Sequence, residues 1–423
     1  PYLAAKYGGG IFLIIYIVLA LTFGYTMIVA ETAIGRMTRK SPVGAFKSFG
    51  KKKWLSFGGW INAVIPVLIV PYYSVIGGWV IKYLVEYFRG NAKLLAEDGY
   101  FTDFISNGVS TELCFVAFCA FTLIIIFAGV QNGIERVSKI MMPILIVLSV
   151  IIAVYSVTRP GALAGVKYFL VPNVKNFSWM TVVSAMGQMF YSLSIAMGIL
   201  ITFGSYMKKD TAIEDSTRNV EVFDTGIAIM AGLMIIPAVF AFSGGDPDTL
   251  QAGPSLMFIT IPKVFQNMGF GTVIGIVFFL LVLFAAVTSS IALTESAVST
   301  FEDELGWGRK KATVLVGVIM LVLGSLSSLG YGPLAGIKII GMQFLDLFDF
   351  LTNSVMMPIA ALLTSLLVSR VVGIDKIEEE IIHGESAFRR KKVFVVMIKY
   401  LCPVFAIIIL LSSVANALGW IKM

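Results

Sequence analysis

Charged residues are scarce in this sequence. Asp, Glu, Lys and Arg make up 13% of its 423 residues, about half the share of about 25% found in soluble domains. Histidine occurs once and cysteine three times, and their spacing shows no disulfide or metal-binding motif. The sequence has no phosphate-binding glycine loop and no catalytic Ser/His/Asp set, which argues against an enzyme and against a nucleotide-driven pump.

Long apolar stretches are abundant instead, in a chain that is 58% hydrophobic with a mean hydropathy of +0.90. A helix needs roughly 20 apolar residues to cross a bilayer. Backbone groups in lipid must bond within helices or closed barrels, and barrel strands alternate in polarity, which these stretches do not. The pattern predicts an all-α membrane bundle, with apolar stretches at 11–30, 54–81, 113–134, 140–158, 176–207, 225–245, 264–294, 312–337, 350–369 and 393–421.

The first ten residues are too few to cross a membrane before the stretch that begins at residue 11. They also lack the basic segment, apolar run and small-residue cleavage site of a signal peptide. We therefore expect the chain to begin partway through a first span, with the first half of that span absent.

Basic residues are distributed unequally between alternate loops. Cytoplasmic loops of membrane proteins collect Lys and Arg, and one set of loops carries 21 of them against 8 in the other set. The net charge of +7 is therefore a sign of topology, not of nucleic-acid binding. The richer set, predicted to be cytoplasmic, consists of Arg36, Arg39, Lys40, Lys47, Lys51–Lys53, Arg136, Lys139, Lys208, Lys209, Arg218, Arg309–Lys311, Arg370, Lys376 and Arg389–Lys392.

Polar residues and glycines occur at mid-depth in the stretch at 187–206, which contains Ser192, Ser194, Gly198 and Gly204. Small residues at these positions are compatible with tight helix packing. They are equally compatible with a broken helix whose freed carbonyls bind ions and substrate.

Two further segments carry oxygen ligands. Thr288, Ser289 and Ser290 cluster in the middle of one stretch, and Asp224 enters another just after a run of polar residues. Asp224 can be read either as interfacial or as functional. Hydroxyl and carboxylate oxygens suit a hard cation such as sodium. The remaining candidates are read as structural: Cys114, Cys119 and Cys402 as small apolar residues and His383 as a surface residue.

At these segments the sequence closely resembles the neurotransmitter:sodium symporter family, and in particular its bacterial amino-acid transporters with eleven spans. The resemblance covers nearly the whole chain and rests on ordered motifs: PYLAAKYGGG at 1–10, AETAIGR at 30–36, NGIERVSKIMMP at 132–143, AVTSSIAL at 286–293 and FEDELG at 301–306. It implies a single transporter domain over 1–423 with two inverted repeats of five spans, discontinuous spans 1 and 6, and a peripheral eleventh span. The first repeat would cover 1–158, the second 176–370 and span 11 residues 393–421.

The resemblance also implies two sodium sites. Ser192 and Asp224 match ligands of the first ion, with Asp224 in the place of an amide. Family members with a neutral residue there often need chloride to balance charge, so Asp224 implies independence of chloride. The carbonyl of Ala285 and the hydroxyls of Thr288 and Ser289 match the second site.

A substrate pocket is implied in the same way. Tyr73 matches a tyrosine that binds the substrate carboxylate, although the residue alone would favour a packing role. Met197 and Leu293 match an apolar subsite, although periodicity alone would assign both to the core. The implied substrate residues are Ile69, Tyr73, Tyr191, Ser192, Ser194, Met197, Ser289 and Leu293.

Gate residues are implied on both sides of the pocket. Asp349 matches an outer-gate acid, and Asp303 and Tyr206 match the inner gate; the arginine partner of each gate would precede Pro1. Glu31 is expected to brace the hinge between spans 1 and 6. Ala196 departs from the family, in which glycine is usual at this position.

The predicted function is symport of sodium with a neutral hydrophobic or aromatic L-amino acid, such as tryptophan, tyrosine or leucine, across the plasma (inner) membrane. A proton-coupled transporter of the same fold is one alternative, although the Thr288/Ser289 pair argues against it. A channel or a receptor-like member that has lost transport is the other. The sequence indicates no nucleic-acid partner.

Overall fold

The computed structural model describes residues 1–244, 253–417 and 420. A short helix, α1 (Tyr2–Lys6), comes first. Nine helices of these residues are long and apolar enough to span a membrane, and a further helix is broken into two halves. They are α2 (Gly10–Thr38), α3 (Lys53–Phe88), α4 (Gly108–Phe127), α5 (Val130–Val157), α6a (Trp179–Ser192), α6b (Ile199–Tyr206), α7 (Ile213–Ser243), α8 (Gly271–Leu305), α9 (Arg309–Leu329), α10 (Phe344–Val372) and α11 (Lys391–Asn416).

The apolar stretches of the sequence locate these helices but misplace several ends. The stretch at 113–134 joins the end of α4 to the start of α5, because the turn at Gly129, with φ 88°, carries no charge. The stretch at 264–294 likewise runs across a turn at 267–270 between a short helix and α8. Of the predicted span 11, residues 418, 419 and 421 lie outside the described residues.

Shorter helices connect the spans. The structure contains Pro42–Lys47 between α2 and α3, Ala92–Leu95 and Tyr100–Ser106 between α3 and α4, Ala162–Leu170 between α5 and α6a, Leu256–Gln266 before α8 and Ile374–Ile382 between α10 and α11. α3 and α8 cross at the centre of the bundle, where their small and aromatic residues are buried.

Residues 193–198 interrupt the sixth span. Ser194, Ala196 and Gly198 all have φ between 55° and 69°, the left-handed region in which a helix cannot continue. Gly198 meets a second constraint, because a Cβ atom there would lie 2.8 Å from the carbonyl oxygen of Asn62 in α3. The backbone N–H of Ala196 loses its helical partner and donates instead to Glu31 Oε1 at 2.8 Å. The buried carboxylate of Glu31 therefore satisfies a backbone donor that the break leaves without a helical partner.

α2 and α6b pack backbone against backbone. A Cβ atom added to Gly35 would lie 2.0 Å from the carbonyl oxygen of Ile201, and one added to Gly204 would lie 2.5 Å from that of Thr32. Each glycine thus permits an approach that any side chain would prevent. The two helices form one tightly packed unit on one side of the break.

Candidate functional site: a central cavity beside a broken helix

A cavity of about 440 Å³ lies beside the break in the sixth span. All eight predicted substrate residues line it, together with Thr288. They come from α3, from α6a with the adjoining break, and from α8, so three segments distant in sequence meet at one place. The cavity is lined by Ile69, Tyr73, Met142, Gln188, Tyr191, Ser192, Ser194, Met197, Ile199, Thr288, Ser289, Ala292 and Leu293.

The cavity wall combines buried apolar residues with hydroxylated ones. Ile69, Met197 and Leu293 are at most 5% exposed, and they present hydrocarbon and thioether surface. Tyr73 and Ser289 supply hydroxyl groups that interact with each other. None of the described residues that line the cavity carries a charged side chain, so a bound molecule with a charged side chain would find no counter-ion there.

Asp224 lies beside this cavity, at a junction of three helices. Its Oδ1 accepts a hydrogen bond of 2.8 Å from Ser192 Oγ in α6a, and its Oδ2 accepts one of 2.8 Å from Tyr16 Oη in α2. A smaller cavity of about 210 Å³ adjoins the carboxylate, and Ser192 and Gln188 line both cavities. The carboxylate therefore faces the interior of the bundle rather than the membrane surface.

A second group of oxygens lies on α8. Thr288 Oγ1 donates to the carbonyl oxygens of Phe284 and Ala285, at 3.0 and 3.1 Å. Ser289 follows on the same turn and is exposed to the cavity. The carbonyl of Ala285 and the hydroxyl of Thr288 are thus close enough to contact one small cation, if the hydroxyl proton turns away.

Both groups consist of oxygen atoms. Within the described residues no three His, Cys, Asp or Glu side chains come together as a metal-binding cluster. Hydroxyl, carbonyl and single carboxylate oxygens are ligands for hard cations. The arrangement therefore offers ligands of the kind that suit alkali-metal ions.

The predicted outer-gate acid, Asp349, lies in α10 and accepts hydrogen bonds from Tyr72 Oη, at 3.2 Å, and from Asn353 Nδ2. Tyr72 precedes Tyr73 on α3, a helix that contributes to the cavity wall. The hydrogen bond from the uncharged side chain of Tyr72 thereby joins Asp349 to α3.

The two predicted inner-gate residues have different partners. Asp303 Oδ2 accepts the N–H of Ser41 at 2.5 Å, ahead of the helix Pro42–Lys47. Tyr206 Oη instead donates to Glu295 Oε1 at 2.7 Å. Glu295 is fully buried and also binds both terminal nitrogens of Arg309, at 3.0 and 2.6 Å.

The sequence reasoning missed several of these residues. Glu295 is a carboxylate in the middle of α8, and it was overlooked because the apolar stretch was ended one residue before it, at Thr294. A charge inside a span is itself a functional signal that could have identified it. Tyr16 gives no such signal, because an isolated tyrosine in an apolar stretch is ordinary.

Comparison with known proteins gives a consistent result. A sequence model described as "Sodium:neurotransmitter symporter family" matches residues 1–94 and 101–420. An uncharacterized sodium-dependent transporter of Bacillus subtilis, YhdH, is 33% identical over 418 residues, which are 98% of this chain and 92% of that protein. The human sodium- and chloride-dependent GABA transporter 2 is 25% identical over 446 residues, covering 90% of this chain and 70% of that protein.

A solved structure matches over almost the same length. The crystal structure of MhsT in complex with L-phenylalanine superimposes with a TM-score of 0.86 and 33% sequence identity, covering 97% of this chain and 93% of MhsT.

Proposed function

The chain belongs to the sodium:neurotransmitter symporter family, a family of membrane transporters and not of enzymes, and from this premise we propose that it couples the entry of two sodium ions to uptake of a neutral hydrophobic or aromatic L-amino acid, independently of chloride. We place it in the plasma (inner) membrane, with the amino acid in the central cavity. No observation on the described residues specifically favours a channel or a receptor-like protein.

The observation that supports this substrate class is the cavity wall. Its lining residues are uncharged, and Ile69, Met197 and Leu293 offer buried apolar surface. Burying apolar area is worth about 25 cal/mol per Å², so a large apolar side chain gains most from this wall. MhsT was crystallised with phenylalanine, which belongs to the same chemical class.

The backbone of the amino acid would lie at the polar end of the cavity. Tyr73 can donate to its carboxylate, and the carbonyls freed by the break at 193–198 can accept from its ammonium group. Half-helix ends that point at a ligand contribute partial charges without a charged side chain. A zwitterion is thereby bound by hydrogen bonds while its side chain enters the apolar end.

Sodium would enter as a transported ion at two places. Ser192 and Asp224 would bind one ion next to the substrate, and Ala285, Thr288 and Ser289 would bind the other on α8. Each ion that moves down the membrane potential supplies about 2.3 kcal/mol per 100 mV. Two ions can therefore drive accumulation of one amino acid.

Independence of chloride would follow from the charge of Asp224. A sodium ion bound by neutral groups in a low-dielectric interior needs a compensating anion. Asp224 provides that negative charge within the protein, between α2, α6a and α7. An external halide would then have no charge to balance.

The test is uptake of radiolabelled tryptophan, leucine, glutamate and lysine into proteoliposomes. The inward gradient is sodium or potassium, with chloride or gluconate as the anion. We expect sodium-dependent accumulation of tryptophan or leucine that is the same in both anions, and no accumulation of the charged amino acids.

The matched variant is D224N, which keeps the shape of the side chain but removes its charge. We expect its uptake to depend on chloride. If chloride affects uptake by the wild-type and D224N proteins equally, the charge of Asp224 does not take the place of chloride. Uptake driven by a proton gradient in potassium would favour proton coupling, and no uptake of any amino acid in a wider panel would refute the proposed function.

A further inference from the structure

The segment between α10 and α11, residues 373–390, is here called the connector. It contains the amphipathic helix Ile374–Ile382. One of its carboxylates, Glu380, is only 4% exposed, although it lies in the most highly charged part of the chain. A carboxylate buried to this degree needs a partner of opposite charge.

That partner is Arg36, near the end of α2, whose side chain is fully buried. Arg36 Nε donates to Glu380 Oε1 at 2.6 Å, and its Nη2 donates to the carbonyl oxygen of the same residue. Its Nη1 donates to the carbonyl oxygen of Thr211, between α6b and α7, at 2.5 Å. One guanidinium thus binds the connector and the α6b–α7 link at the same time. Lys209, in that link, adds a 2.6 Å bond to Glu380 Oε2.

A second attachment lies at the beginning of α7. The buried carboxylate of Glu214 accepts the backbone N–H groups of Arg389 and Arg390, at 2.7 and 3.2 Å, and the hydroxyl of Tyr25 in α2. Arg390 then pairs with Glu221 in α7, with contacts of 2.5 and 3.1 Å. The middle of the connector is therefore bound to α2 and to the α6b–α7 link, and its C-terminal end is bound to α2 and α7.

The ion pair between the connector and the start of α11 is instead exposed to solvent. Lys391 Nζ binds Glu378 Oε2 at 2.5 Å, but the two side chains are 42% and 30% exposed. Ion pairs of such exposure are screened by solvent and contribute little. The connector is covalently continuous with α10 and α11, yet its buried polar bonds go to α2 and α7.

These bonds continue to the candidate site. Arg36 follows Gly35, whose backbone packs directly on Ile201 of α6b. One turn earlier on α2, Glu31 binds the N–H of Ala196 in the break that lines the cavity. The connector, α2, α6b and the break are thus joined by consecutive contacts.

We propose that Arg36 is a positioning residue for transport. Through Glu380 it fastens the connector to α2 and α6b. When the inner side opens, the connector therefore moves with these two helices and α7, and not with α10 and α11. The inference rests on the proposed function in one respect, namely that the bundle alternates between outward-open and inward-open states by moving some helices against others. Arg36 contacts neither the substrate cavity nor the oxygen groups, and acts through α6b.

The test uses the full chain with pairs of nitroxide labels, in a C114A background, and compares distances in sodium and in potassium. K376C on the connector is paired with N219C on α7 or with K399C on α11; all three positions are exposed. We expect the 376–219 distance to stay constant between the two ions and the 376–399 distance to change. A changed 376–219 distance, or an unchanged 376–399 distance, overturns the proposal.

Two variants on the same helix separate the buried attachment from the exposed one. E380Q removes the partner of Arg36, and E378Q removes the partner of Lys391. We expect E380Q to broaden the 376–219 distance distribution and to lower the maximal uptake rate by about tenfold, a typical size for coupling between distant sites. Its KM for substrate should change by less than about twofold, because no substrate contact is lost.

E378Q should leave the 376–219 distance distribution and the maximal uptake rate at the wild-type values. R36Q should lower the uptake rate, and R36K, which keeps the charge, should lower it less. Equal effects of E380Q and E378Q would contradict the assignment. The distance measurement needs no substrate, so the expected distances in a wild-type protein that transports no amino acid would refute the proposed function alone.

Discussion

Two groups of oxygen atoms flank the central cavity, and they are built differently. The group at Asp224 gathers side chains from α2, α6a and α7, and it includes one full negative charge. The group at Thr288 lies within two turns of α8 and consists of neutral hydroxyls and carbonyls. The first is assembled by tertiary structure, whereas the second exists as soon as one helix has formed.

This difference affects how each group would attract a cation. A carboxylate attracts sodium by charge, and its strength depends on the donors that hold it in place. Neutral oxygens attract sodium through dipoles alone, so each of them accounts for a larger share of the binding. We therefore expect substitutions in the first group to act through charge and substitutions in the second to act through the number of ligands.

The largest expected effect comes from D224A. It removes the charge and leaves the hydroxyls of Tyr16 and Ser192 without their acceptor, so sodium-dependent uptake should fall by about 100-fold, equivalent to roughly 3 kcal/mol. This loss is measured as the rate of uptake at saturating sodium. D346A is the control, because Asp346 also accepts a hydrogen bond from a tyrosine, Tyr331, but lies away from the cavity. Equal losses in both variants would count against a special role of Asp224.

T288V should have the second largest effect. Valine has the shape of threonine but no hydroxyl, so the sodium concentration for half-maximal uptake should rise by about tenfold, as expected for the loss of one ligand. T294V is the matched control, since Thr294 bonds to the carbonyl of Ser290 on the same helix but is not among the cavity-lining residues. If T294V raised the sodium requirement as much, the effect would come from the helix and not from the site.

Y16F tests the support of the charged group. It removes one of two donors to Asp224 and keeps the other, from Ser192. A hydrogen bond to a charged group is worth about 1.5 kcal/mol or more, part of which water in the adjoining cavity can replace. We expect the sodium requirement to rise by about threefold in a titration of uptake. No change would mean that Ser192 alone orients the carboxylate.

A196G has the smallest expected effect and tests the segment between the two groups. Ala196 has φ 58°, a strained value for a residue with a Cβ atom, so glycine should relieve about 1 kcal/mol. We expect the thermal unfolding midpoint to rise by about 1–2 °C. A185G, in the interior of α6a, should lower the midpoint by a similar amount. If A196G also lowers the midpoint, the larger conformational entropy that glycine gives the unfolded chain outweighs the relief of backbone strain at this position.

Much of the fold was predictable from the sequence. The apolar stretches predict the helical bundle, and the ordered motifs predict the family; both predictions are confirmed by the nine apolar helices and by the family match. The order of the two repeats and the roles of the site residues stay predictions. Helix ends were less predictable, because a turn at an uncharged residue such as Gly129 leaves the apolar stretch unbroken.

The tertiary partners could not be predicted. The sequence is equally compatible with Asp224 as an interfacial or a functional residue. Only the packing of α2 shows that Tyr16 donates a hydrogen bond to it. Arg36 was counted with the loop residues by charge, whereas the structure buries it against Glu380, 344 residues away. A charge pattern reports which side of the membrane a residue is near, and it contains no information on which helix the residue contacts.

The back-bonded hydroxyl of Thr288 also determines how easily its oxygen can change partners. Oγ1 donates within its own helix to the carbonyls of Phe284 and Ala285, so these contacts use the hydroxyl proton and leave the lone pairs of the oxygen available. A single side-chain rotation, which takes picoseconds to nanoseconds, is enough to redirect the proton. The oxygen group on α8 can therefore exchange its hydrogen bonds without any movement of the helix backbone.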